Sequence, residues 1–304
     1  MIGQALVKAL VDTGHGVRTL GRSARSVHGS TPFVWSPSRG EFPLEALEGV
    51  DVVVHLAAAS VGQRWTGSHR RAILESRTLG THLLREALIQ KGFSGTWIQA
   101  SAIGIYGHAP ELCDEQSAKG QGFLAEVAEA WERASLPEDS VPFRLVRMRL
   151  GLVLSPDGGT LAKLLPIYKF GLGAPLGSGQ QHMGWVHLDD VIQFIRWAAA
   201  TPEVSGVYNV VAPRANTNVE FSQSLAKAST VRIGRPRSQA LPSPWPWARC
   251  RRCCLKAKTC APLASSTPDF NGDTLTCWAR CNTAPPDRTN VPFGAFKAKK
   301  KAPR

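Results

Sequence analysis

The stretch DVVVHLAA, residues 51–58, is a continuous apolar run, and its reading decides the fold. A strand wetted on one face alternates apolar and polar residues, whereas a strand covered on both faces need not. The run therefore predicts a strand buried on both faces. Downstream, HRRAILESRTLGTHLLREALIQKG (residues 69–92) carries Ile73, Leu74, Leu79, Leu83, Leu84, Ala87 and Leu88 on one helical stripe, stopped by Gly92. TWIQASAIGIYG (96–107) follows as a strand running into a loop, FLAEVAEAWERAS (123–135) as an amphipathic helix, and FRLVRMRLGLVLS (143–155) as one further strand.

Upstream, Ile2, Ala5, Leu6, Ala9 and Leu10 recur at helical spacing up to Gly14, and residues 17–20 read as a short strand. Strand alternating with helix argues for a parallel sheet with helices on both faces. Ligands of such sheets sit at the carboxyl ends of the strands, so the loops after Leu20, Leu56, Ala100 and Leu154 are the ones to read. LPIYKFGLGAPLGSGQQHMGWVHLDDVIQFIRWAAA (165–200) is Gly-rich and then helical from about Leu188. With the short strand GVYNVVAP (206–213) it predicts a smaller lobe inserted at the end of the sheet.

The net charge of +13 is unevenly placed. Residues 1–228 hold 21 Lys/Arg against 20 Asp/Glu, and residues 229–304 hold 15 against 3. The near-neutral body argues against a nucleic-acid partner, which would have to be met by the tail alone. No apolar run approaches the ~20 residues of a membrane helix, and no basic stretch precedes an apolar one at the N-terminus. A cytoplasmic protein without membrane contact is the expectation. Cys250, Cys253, Cys254, Cys260, Cys277 and Cys281 all lie in the tail. With no histidine and no periodic element between them, they do not predict a metal site. The expected organisation is residues 1–155, 156–228 as substrate-lobe segments, and 229–304 as an irregular tail.

MIGQALV, DVVVHLAA, RWT with ILESRTLGT, SAIGIYG, CDE, WE, MRLGLVLS, GLGAPLGSGQQHMGWVHLDD and GVYNVVAP occur in that order up to about residue 227. Together they resemble an extended short-chain dehydrogenase/reductase, of the atypical NAD-dependent epimerase/dehydratase-like "epimerase family" subgroup. The resemblance implies an α/β, Rossmann-like, doubly wound sheet, NADP as cofactor with NAD possible, and a small-molecule substrate. The phosphate-binding turn of that family has the form GxTGFIG, and only Met1, Ile2 and Gly3 stand in its place here. The first strand is thus expected to be missing, from a start placed too late, with dinucleotide binding weak or absent. Read one nucleotide back with GC-rich codons, CCLKAKTCAPLASSTPDF and DTLTCWARC spell stretches similar to the family's C-terminal domain. A shift of reading frame near Ala228 is the matching expectation.

Carried over onto this sequence, the family pattern puts Gly3, Arg22, Leu56, Ala57, Ala58, Arg77 and Ser101 against the cofactor. Gly3 also reads as an ordinary helix glycine, Arg22 as a solvated arginine, and Ser76 with Arg77 as a plain charged helix face. Arg22 suits a ribose 2′-phosphate, where an acid would suit a free 2′-hydroxyl. His55 reads as a packed strand-end histidine rather than a base. Members of the wider family use a Tyr with a Lys four residues on as acid/base pair. Here the residues four after Tyr106, Tyr168 and Tyr208 are Pro110, Leu172 and Ala212, and Phe123 and Val127 occupy the usual helix. Ser101, Tyr106 and His187 remain as catalytic candidates, and Arg149, Gln180 and Trp185 as substrate contacts, all expected in loops. His187 pairs with Asp189 or Asp190 on one reading; on the other, one of those acids caps the next helix. Three classes follow: an epimerase or oxidoreductase, a non-catalytic NADP(H)-binding regulator, and, weakest, a nucleic-acid binder.

Overall fold

The computed structural model describes residues 1–107 and 112–229, so the expectations placed on the Cys-rich tail lie outside the described residues. Helix α1 (Ile2–Val11) leads into β1 (Arg18–Gly21), which pairs in parallel with β2 (Thr31–Val34). Then β3 (Val52–His55), α2 (Gly67–Gln90), β4 (Thr96–Ala102), α3 (Phe123–Ser135), β5 (Arg144–Leu150) and β6 (Leu152–Ser155) follow in turn. The chain continues through α4 (Gly159–Lys169), β7 (His182–Met183), β8 (Trp185–His187), α5 (Leu188–Ala200), β9 (Gly206–Val210), β10 (Asn216–Thr217) and α6 (Asn218–Ala228).

The main sheet is parallel, in the order β3-β4-β5-β9, with Val54 opposite Ile98, Ile98 opposite Val146 and Met148 opposite Tyr208. Among the described residues β1 and β2 form a separate pair, and β1 is not hydrogen-bonded to β3. This corrects the reading of DVVVHLAA. Val52, Val53 and Val54 are only half-buried, and among the described residues β3 is an edge strand paired with β4 alone.

The two faces of the sheet differ. On one, Ile98, Ala100, Val146 and Met148 meet Leu6 of α1 and Val191, Ile192, Ile195 and Ala198 of α5. Each such aliphatic side chain contributes roughly 1.5–3 kcal/mol by leaving water. The opposite face is apolar at the amino ends of the strands, where Val53, Trp97 and Leu145 pack on Leu84 and Leu88 of α2. Two to four residues further along the same strands it becomes polar, with buried His55, Gln99, Ser101 and Arg149. Buried polar groups require partners, so this gradient directs attention to the carboxyl ends.

The segment 143–155 is not one strand. A Cβ on Gly151 would stand 2.9 Å from the Gly184 carbonyl oxygen and 2.9 Å from Val211. The chain bends there, and β6 leaves the sheet to pair with β8. The division at residue 155/156 is also corrected: β9 joins the main sheet and α5 packs into its core. The smaller lobe is built instead from α4, α6 and the antiparallel β7–β10 pair, around Tyr168, Leu225 and Ala226. Its helix α6 is opened by a capping box, Thr217 with Glu220. No described helix is long and apolar enough to cross a membrane.

Candidate functional site

Ser101 on β4 lies opposite Arg149 on β5, which lies opposite Asn209 on β9. Glu132, from the buried side of α3, closes this row. Its carboxylate accepts from Ser101 Oγ at 2.7 Å and from Arg149 Nε and Nη2 at 2.8 and 2.9 Å. Arg147 Nη1 stands 3.7 Å away. Arg149 Nη1 donates to Tyr106 Oη at 2.8 Å and to the Glu115 carbonyl at 3.1 Å. Tyr106 Oη in turn donates to Asn209 Oδ1 at 2.7 Å. Burial pushes the Glu132 carboxyl upward, but the bonds from Arg149 and Ser101 outweigh it and hold the group below its ordinary range. Arg149 is likewise held charged against burial by Glu132.

Three expectations change here. Ser101 and Arg149 lie within strands rather than loops, and Tyr106 ends a short 3-10 turn, Ile103–Tyr106. The Ser101 hydroxyl is buried with its proton on Glu132, and Arg149 spends its bidentate face on the same carboxylate, so neither is aimed at a ligand. Tyr106 is buried in the same network. Glu132 was missed as a site residue. The available signal was an acid among Ala125, Ala128, Trp131 and Ser135, the buried positions of α3.

At the lobe, Trp185 and His187 stand in β8, and Gln180 lies exposed in the preceding loop. Trp185 Nε1 donates to Asn216 Oδ1 at 3.1 Å. His187 Nδ1 accepts from the Asp189 backbone N–H at 3.2 Å, so the imidazole itself caps α5. Asp189 and Asp190 sit in the first turn, where the helix dipole favours acids. This cap corrects the assignment of that role to an aspartate. It requires Nδ1 to be unprotonated and leaves the proton on Nε2, on a side chain that is 39% exposed. Burial pushes the Asp190 carboxyl up, and its Oδ1 is buried without a hydrogen-bond partner.

Near β1 and β3 the other predicted residues gather. A Cβ on Gly3 would lie 3.9 Å from Leu56 Cδ1, which brings the start of α1 to the end of β3. α1 has no side-chain cap and no acid in its first turn. Ala57 and Ala58 are exposed, and Arg22 is exposed just after β1 with no ion pair among the described residues. Arg77 does not extend outward: its Nη1 donates to the Ala59 carbonyl at 3.1 Å and the Ile73 carbonyl at 3.0 Å. Its guanidinium lies over the Trp131 ring at 4.9 Å, and burial brings it down to about 10. His55 is packed, with Nδ1 on Gln99 Oε1 at 2.9 Å, and burial pushes it down to about 4. No group of three or more metal-ligating side chains occurs among the described residues.

A parallel sheet with helices on both faces, an uncapped first helix at its carboxyl edge and small residues ending the next strand define a Rossmann-like α/β protein. Residues 1–211 match the model of the NAD dependent epimerase/dehydratase family, and the chain belongs to that family. It is 38% identical over 245 residues to epimerase family protein Mb2239 of Mycobacterium bovis, covering 80% of this chain and 79% of that one. It is 32% identical over 252 residues to mouse epimerase family protein SDR39U1, covering 80% of each. A crystal structure of human SDR39U1 (isoform 2) with NADPH superposes with a TM-score of 0.74 at 29% identity, over 86% of this chain and 88% of that one.

Proposed function

We propose that this chain binds NADP(H), with NAD as the alternative, along the carboxyl edge formed by β1 and β3, and presents it to a small polar substrate beside the lobe. One observation carries the reading: the uncapped start of α1 meets the end of β3 at Leu56, next to the exposed Ala57–Ala58 pair, while the exposed Arg22 directly follows β1. These residues fit the cofactor in kind. A helix N-terminus without a side-chain cap offers backbone N–H groups to a pyrophosphate, a guanidinium without an ion-pair partner suits a 2′-phosphate, and alanines permit close approach. The likeness to human SDR39U1, solved with NADPH, supports the same reading. Because β1 and β3 are not bonded to each other, the two halves of the edge are loosely coupled, and the binding we propose is weak but saturable.

When bound, the nicotinamide accepts or donates hydride, as an oxidoreductase or epimerase of the family needs. Among the chain's own residues, His187, with a side chain 39% exposed, is the candidate acid/base, and Trp185 and Gln180 are the candidate substrate contacts. Titration of NADPH and NADH against the chain and its Arg22→Ala variant tests the proposal. The variant should lose about ten- to hundredfold in NADPH affinity, equivalent to about 1.5–3 kcal/mol for a charge-assisted bond, and little for NADH. Equal losses would count against it.

A second reading, binding without turnover, is favoured by a separate observation. The hydroxyls of Ser101 and Tyr106 are both committed to the Glu132–Arg149–Asn209 network, and Phe123 and Val127 supply no Tyr–Lys pair. Following NADPH absorbance over a panel of carbonyl compounds and sugar nucleotides separates the two. Turnover abolished by His187→Ala supports the enzyme; saturable binding with no turnover across the panel supports the regulator.

A further inference from the structure

We infer that Ser76 and Arg77 act as a clamp on both backbone polar groups of Ala59 and thereby set the loop bearing Ala57 and Ala58, making Arg77 a positioning residue rather than a cofactor ligand. Ser76 Oγ accepts the Ala59 N–H at 2.9 Å, and Arg77 Nη1 donates to the Ala59 carbonyl at 3.1 Å. Both side chains also donate to the Ile73 carbonyl, at 3.2 and 3.0 Å, so the clamp is anchored on one turn of α2. The guanidinium is backed by the Trp131 ring of α3. Trp131 Nε1 donates to Thr81 Oγ1 at 3.0 Å, and that hydroxyl is 3.3 Å from Nδ1 of His55, the last residue of β3. Residues 56–58 are therefore fixed at both ends, by the strand on one side and by the clamp on the other. A cation stacked on an indole and engaged with two carbonyls is oriented inward, which is why it reads as a support.

The functional consequence rests on the proposal that NADP(H) lies over Ala57 and Ala58, and the test separates the two. Amide exchange at Ala59 is measured in the full chain without cofactor, and NADPH and NADH affinities are measured alongside. Ser76→Ala removes the acceptor of the Ala59 N–H and deletes one oxygen; it should raise Ala59 exchange at least about tenfold, the scale of one lost hydrogen bond. Arg77→Met should raise it too, although Arg77 does not touch that N–H, and Ser76→Thr should restore protection. Both Ser76→Ala and Arg77→Met should weaken NADPH and NADH by the same factor, since neither contacts the 2′-phosphate. Unchanged Ala59 exchange in both variants overturns the clamp. Raised exchange with unaltered affinity for either cofactor overturns the positioning role. A parent chain that binds no NADPH while the variants raise exchange overturns the cofactor reading and leaves the clamp standing.

Discussion

Glu132→Gln is the substitution whose consequences the structure specifies most fully. The carboxylate receives three hydrogen bonds of 2.7–2.9 Å, two from one guanidinium. Its side chain and that of Arg149 are 7% and 9% exposed, with Arg147 nearby at 18%. The amide keeps one acceptor oxygen, but its NH2 faces a donor, and two guanidiniums lose their counter-charge. Breaking a buried pair from one side costs about 3–5 kcal/mol, a large share of the ~5–15 kcal/mol of an ordinary domain. The pH dependence has a definite sign. Glu132 is held below its ordinary value near 4.5, so its contribution is present above that value and is lost as pH falls through the lower, folded-state value. Urea unfolding of both proteins, followed by tryptophan fluorescence, should give the full difference at pH 7 and a shrinking one below about pH 4.5. A loss under about 1 kcal/mol at pH 7, well below what breaking a buried pair costs, or a difference unchanged down to pH 3, would refute the reasoning.

His55 sits at about 4 against an ordinary 6.5, chiefly through burial. The unfolded chain takes up this proton first, so stability should fall by up to about 3 kcal/mol as pH drops from 6.5 towards 4. His55→Asn should flatten that slope in urea midpoints, and an identical slope in both proteins would count against the argument. Gly120→Ala would put a methyl group 2.0 Å from the Tyr106 carbonyl oxygen. It should displace the turn that holds Tyr106 and cost roughly 1–3 kcal/mol, as overpacking does; a thermal midpoint equal to the parent's would contradict this. Trp185→Phe removes the bond to Asn216 that ties β8 to the lobe, at about 1 kcal/mol. The same unfolding assay reads it, and a change below about 0.3 kcal/mol would show that the bond contributes little.

The sequence made local periods visible and left pairings hidden. FLAEVAEAWERAS coincides with α3 to the residue, and of the stripe on α2 Ile73, Leu84, Ala87 and Leu88 are buried while Leu74 and Leu79 face outward, because a helix buries only the residues spaced by its own geometry on the packed side. The bend at Gly151 was not legible, since its cause is the close approach of Gly184 and Val211, far away in the chain. Nor was α4, with Pro166 inside it and glycines around it. An apolar run predicts a strand buried on both faces, yet Val52, Val53 and Val54 are half-buried; among the described residues β3 is hydrogen-bonded to β4 alone. At the site, partners depend on packing that local sequence does not show. Ser101, Arg149 and Arg77 are polar residues near the carboxyl ends, as expected, but their partners Glu132, Tyr106 and Ala59 are brought to them by tertiary packing. The imidazole cap of α5 illustrates the same limit: His187 accepts the backbone N–H of Asp189, an arrangement that depends on backbone angles at residue 187.

The most direct test of the account is a titration of the chain with NADPH, followed by the fluorescence of the bound nicotinamide, in parallel with NADH and with Arg22→Ala. The account predicts saturable NADPH binding, tighter than NADH, with the preference erased in the variant. No saturable signal up to about 1 mM, the upper range of ordinary cofactor affinities, or a preference that survives Arg22→Ala, would contradict it.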